Sequence, residues 1–119
     1  MSNLQRVSYA VKVAVLLRAL RNGLAFNQDE LASAAKCARP TVNRIEALDK
    51  ASPRADTLDS LFEVFRELGV EVQMGDEEIS IRFTKAALLA AEERIKSGRG
   101  KSGIRMTATA TVIKGSSSE

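Results

Sequence analysis

Asn27-Gln28-Asp29-Glu30-Leu31-Ala32-Ser33-Ala34-Ala35-Lys36-Cys37-Ala38-Arg39-Pro40-Thr41-Val42-Asn43-Arg44-Ile45-Glu46 is the stretch on which the reading of this 119-residue chain rests. Asn27 is a good N-cap, and Glu30 three residues on can reach back to it, as in a capping box. The short helix that follows, Gln28 to Ala35, turns Leu31, Ala32 and Ala35 inward. Lys36-Cys37-Ala38 makes the turn. A second helix runs from Arg39 to about Ala47, with Pro40 tolerated because the first turn needs no N–H from it. Its large apolar positions are Val42 and Ile45, while Arg39, Thr41, Asn43 and Arg44 occupy the other faces. Two short helices and a three-residue turn are a helix-turn-helix pattern. Small Ala32 and Ala35 let the helices approach where they cross.

Outward from this block the periodicity stays helical. Val7, Val11, Ala14, Leu17, Leu20 and Leu24, flanked by Val13 and Leu16, recur at helical spacing, and Gly23 stands where that helix would stop. A polar loop, Leu48 to Pro53, precedes a fourth helix from Ala55 or Asp56 to Leu68. That helix turns Leu58, Leu61, Phe62, Phe65 and Leu68 inward, with Asp56 or Thr57 at its start and Gly69 at its end. The period then changes to two. Val70, Val72 and Met74, and after an acidic turn Ile79, Ile81 and Phe83, alternate with polar residues, which predicts a β-hairpin. A fifth helix is expected from Thr84 or Lys85 to Lys96. The remainder is rich in Gly, Ser and Lys at both ends, and Met106 to Ile113 has a Thr- and Val-rich strand composition that lacks a partner edge. The organisation expected is a helical domain over 7–69, a hairpin with a helix over 70–96, and a flexible basic tail over 97–119.

Composition narrows the chemistry. The chain has no His and one Cys, so it lacks the usual general base, the commonest metal ligand and any intrachain disulfide. No nucleophile–base pair is evident, and the expectation is a protein that is not an enzyme and carries neither cofactor nor metal. Cys37 reads as a small buried hydrophobe. No apolar run approaches the ~20 residues of a membrane span, and the N-terminus lacks a signal-peptide pattern, so a cytoplasmic location without membrane contact is expected. Net charge is +3. That permits nucleic-acid binding without showing it.

Leu17-Arg18-Ala19-Leu20-Arg21, Gln28-Asp29-Glu30-Leu31-Ala32, Thr41-Val42-Asn43-Arg44-Ile45-Glu46, Pro53, Thr57-Leu58 and Leu68-Gly69-Val70 together resemble the Cro/CI (Xre) helix-turn-helix family over residues 12 to about 70. The resemblance implies a mainly α, lambda-repressor-like DNA-binding domain of four to five helices, followed here by the hairpin and a C-terminal helix. It implies base contacts from Arg39, Pro40, Thr41, Asn43 and Arg44. Arg is suited to guanine O6 and N7, and Asn to adenine N6 and N7. It implies phosphate contacts from Asn27 and Gln28 at a helix N-terminus, and from Lys50, Ser52 and Arg54 in the following loop. Glu46 and Arg21 stand where these proteins often form an internal pair. Two positions depart from the family: Lys36 replaces the usual turn Gly, and Ala38 replaces the usual Ser or Thr cap.

One such motif reads few base pairs, so a dimer on a pseudo-palindromic double-stranded DNA site is implied. The row Val70, Val72, Met74, Ile79, Ile81 and Phe83 is the expected dimerisation element, since a lone hairpin is marginal and the row exceeds one small domain's needs. The other reading folds the hairpin and fifth helix onto their own domain. Two functions follow. One is a dimeric transcriptional repressor. The other is an antitoxin, resembling the HipB-like proteins, that autoregulates its operon and binds a toxin protein. The tail stays open between a toxin-binding segment, a non-specific DNA arm and a disordered end.

Overall fold

A computed structural model describes residues 6–49 and 53–98. Among them are five helices and one hairpin, in the order α1 (Tyr9–Gly23), α2 (Gln28–Ala35), α3 (Arg39–Glu46), α4 (Ala55–Glu67), β1 (Val70–Met74), β2 (Ile79–Phe83) and α5 (Lys85–Lys96). The mainly helical class with a hairpin and a C-terminal helix agrees with the sequence pattern. The segment 99–119, with its strand-like stretch, lies outside the described residues, as do Lys50 and Ser52.

Ser8 starts α1 by accepting a hydrogen bond from the Val11 amide at 3.1 Å. Val13, Ala14, Leu16, Leu17 and Leu20 of this helix, with Leu24 just beyond it, are buried, each larger side chain contributing about 1.5–3 kcal/mol. Val7 and Val11, expected on the inward stripe, are exposed. At that end α1 meets the hairpin turn, where Lys12 Nζ donates to the carbonyls of Gly75 at 2.7 Å and Asp76 at 2.9 Å. Two backbone carbonyls call for an ammonium there.

Gly23 is still helical and does not make the stop. The left-handed residue is Ala25 (φ 61°), and a Cβ on Gly23 would lie 3.0 Å from Phe83 Cζ. The glycine therefore seats the hairpin. Three consecutive helix ends use one device. Ala25, Lys36 and Leu48 all have φ near +60°, and the next amide reaches back five residues: Phe26 to Arg21 O, Cys37 to Ala32 O, and Asp49 to Arg44 O, each at 2.9 Å. This is the Schellman pattern, formed here without glycine.

The core gathers α1, Phe26, Leu31, Ala32, Ala35, Val42, Ile45, Leu58, Leu61, Phe65, Val70, Ala87 and Ala91. Phe26 and Phe65 meet edge to face, with centroids 5.7 Å apart. α4 begins at Ala55, within the expected bounds, but neither Asp56 nor Thr57 is its cap: Arg54 stands there without a side-chain cap bond.

The hairpin is antiparallel, with Val70 opposite Phe83, Val72 opposite Ile81 and Met74 opposite Ile79. All six expected row residues thus share one face. That face rests on the chain's own helices: Val70 is buried, Met74, Ile79, Ile81 and Phe83 are half-buried against the core, and Val72 is 38% exposed. Most of the row thus has a partner within the chain, and its exposed member is Val72. On the outer face Glu71 and Arg82, directly opposite, form an ion pair. At the hairpin base Thr84 caps α5 and donates its hydroxyl to Gly69 O at 2.6 Å. Gly69 has φ 103°, and a Cβ on it would meet Thr84 Oγ1 at 2.7 Å. No side chain fits there.

Candidate nucleic-acid interface

The surface built by α2, the turn 36–38 and α3 starts with its capping. Asn27 Oδ1 accepts from the Glu30 amide at 2.7 Å, and the Asn27 amide donates to Glu30 Oε1 at 2.9 Å, completing the capping box. Lys36 takes the left-handed conformation that the usual glycine would favour (φ 61°, ψ 44°). Ala38 gives α3 no side-chain cap, and Pro40 sits in the first turn.

Val42 and Ile45 are buried and fix α3 to the core. Arg39, Pro40, Asn43 and Arg44 are exposed and, at spacings of one, four and five residues, share one helix face. Thr41 is half-buried at its edge. The face carries two guanidinium groups and one carboxamide, with no exposed bulky aliphatic among them. Its donors suit planar acceptors arrayed at fixed spacing. Arg39 is not wholly unengaged: its Nε stands 3.5 Å from Asp29 Oδ1, both side chains largely in solvent. That pair contributes little to stability. Arg44 forms no ion pair among the described residues.

Beneath this face lies a buried polar cluster. Glu46 is 6% exposed, the one buried charged residue in the described core. Its carboxylate accepts from Arg21 Nε at 2.7 Å and Arg21 Nη2 at 2.9 Å, and from Gln28 Nε2 at 3.1 Å. Arg21 Nη1 donates to Phe26 O at 3.1 Å. The expected Arg21–Glu46 pair is thus present, and it acquires a third member. Gln28, expected to meet a phosphate, turns its amide nitrogen inward and joins α2 to α3.

The phosphate-contact set is dispersed. Asn27 is half-buried and engaged in its cap. Arg54 is exposed and pairs with Asp56, its Nε and Nη2 each 3.3 Å from a carboxylate oxygen. This guanidinium holds the Asp56 carboxyl below its ordinary range. Lys50 and Ser52 lie outside the described residues. Cys37, at the turn, is half-buried, and that burial pushes its thiol up.

Sequence reading missed Arg94. From α5 it donates to Leu24 O at 2.8 Å, Ala25 O at 3.1 Å and Glu30 Oε1 at 3.1 Å, and its guanidinium carbon lies 3.6 Å above the Phe26 ring. It therefore clamps the α1–α2 corner and the capping box from behind. The only local signal was a basic residue in the last turn of a helix, which is ordinary and predicts nothing at seventy residues' separation.

Among the described residues no group of three or more His, Cys, Asp or Glu is placed to hold a metal ion, and no helix is long and apolar enough to cross a membrane. Compared with protein families, with characterised proteins and with solved structures, the chain gives no match.

Proposed function

We infer that this protein is a sequence-specific double-stranded-DNA-binding transcriptional regulator of the Cro/CI (Xre) kind, a lambda-repressor-like domain that lays α3 in the major groove. One observation carries the reading: Arg39, Pro40, Asn43 and Arg44 stand exposed on one face of a helix whose other side is fixed by Val42, Ile45 and Glu46. A helix so short and polar gains little from its own burial, and its outward donors match base-edge acceptors. Rigid support from below, through Glu46 to α1 and α2, keeps such donors in register.

The reading includes two copies on a pseudo-palindromic operator, since one α3 spans few base pairs. Repression follows from occupying that site. Selection of bound duplexes from a random pool, followed by a salt titration on the selected site, tests this. A pseudo-palindromic consensus bound about 10³-fold or more above random duplex is expected. Equal affinity for all duplexes, or none, removes the reading.

A further inference from the structure

Two arginines stand on the outward face of α3, and they are held differently. Arg44 forms no ion pair among the described residues. Arg39 has a carboxylate beside it from another helix, its Nε lying 3.5 Å from Asp29 Oδ1 of α2. The two side chains are 61% and 75% exposed, too much in water for the pair to stabilise the fold. What the pair does affect is where the Arg39 guanidinium stands.

Each partner is placed by its own helix. Asp29 is in the first turn of α2, where the helix N-terminus favours a carboxylate, and it takes no part in the capping box of Asn27 and Glu30. Arg39 opens α3, whose cap Ala38 makes no side-chain bond. A cation at a helix N-terminus is disfavoured by the same dipole, so the nearby carboxylate offsets that charge where α3 begins. The approach is through Nε, the nitrogen nearest the stem. Nη1 and Nη2 make no hydrogen bond or ion pair with a described residue, so the outer end of the guanidinium keeps its donors.

We propose that Asp29 is a positioning residue for base specificity: it steadies Arg39 at Nε so that Nη1 and Nη2 meet one base pair end-on and select guanine. This rests on the reading of α3 as the helix that enters the major groove. Guanine O6 and N7 lie on one edge and accept two N–H groups from a single guanidinium. A free arginine loses rotamer freedom when it forms such a contact. An anchor present before binding removes part of that loss. The carboxylate also repels the phosphates of any duplex, a penalty that only the correct guanine contact offsets. Arg44, without an anchor, reads its base independently of Asp29.

Selection of duplexes by the full chain, followed by competition among single-base variants of the selected site, tests the proposal. Arg39→Ala and Arg44→Ala each identify the base pair their arginine reads, as the position where preference is lost. Asp29→Ala is expected to lower guanine preference about three- to tenfold at the Arg39 base pair and to leave the Arg44 base pair unchanged. Affinity for random duplex should stay level or rise. In the Arg39→Ala background the same substitution should change base preference no further, since both act through one contact. Guanine preference undiminished in Asp29→Ala would overturn the proposal, and so would an effect that persists without Arg39. A parallel loss on all duplexes overturns it too, because that marks a merely structural role, as does an Arg39→Ala protein that keeps every base preference. An unsubstituted protein that selects no sequence removes the proposed function itself, an outcome separate from all of these.

Discussion

Glu46 accepts two guanidinium hydrogen bonds from Arg21, at 2.7 and 2.9 Å, in a carboxylate–guanidinium fork with the acid 6% and the base 16% exposed. The pair joins the end of α1 to the end of α3, and Gln28 joins α2 to the same carboxylate. Three helices are thus registered against one another by a single side chain under the proposed DNA-reading face.

Removing one partner leaves the other charge buried and unpaired. Arg21→Ala is expected to cost about 3–5 kcal/mol of folding stability in urea denaturation. The double variant Arg21→Met, Glu46→Leu should recover most of that loss. A single variant with unchanged stability would contradict the role given to the pair.

Lys36 closes α2 in the left-handed region, where a side chain is strained and glycine is not. Lys36→Gly should therefore raise stability by about 0.5–1 kcal/mol, strain relief outweighing the extra flexibility of the unfolded chain. The denaturation midpoint reads this directly. A lower midpoint would show that the Lys36 side chain contributes something beyond the turn.

On the proposed function, Arg44 and Arg54 should fail differently. Arg44→Ala is expected to lower affinity for the selected operator by about 1–3 kcal/mol, with random duplex less affected. Arg54→Ala should weaken all duplexes alike and reduce the salt dependence by about one charge. It should also raise the Asp56 carboxyl toward its ordinary range, measurable by NMR. Operator binding unchanged by Arg44→Ala would remove α3 as the reader.

Arg94 spreads its guanidinium over Phe26 and two carbonyls, a geometry that ammonium cannot copy. Arg94→Lys is expected to loosen α5, with faster amide exchange over Lys85–Lys96 and a stability loss of about 1–3 kcal/mol. Exchange in α2 should rise with it, because Glu30 serves both Arg94 and the Asn27 cap. If α5 keeps its protection, the clamp is not what holds it.

The sequence by itself determined the elements wherever the cause was local. The capping box at Asn27 and Glu30, the missing cap at Ala38, the inward Val42 and Ile45, and the alternation of the hairpin are consequences of spacing and side-chain chemistry within a few residues. Which surfaces those elements cover depended on contacts between distant residues. Periodicity placed Val7 and Val11 inward, but the hairpin turn came to rest at that end of α1 and took Lys12 in their stead. The hairpin's apolar row looked unpartnered because its partners are the chain's own helices, packed through Gly23, whose missing side chain admits Phe83. Arg94 had no legible role until folding brought it to Phe26. Local propensity is set by near neighbours, whereas burial is decided by whatever the folded chain brings to each face, and only the tertiary structure states that.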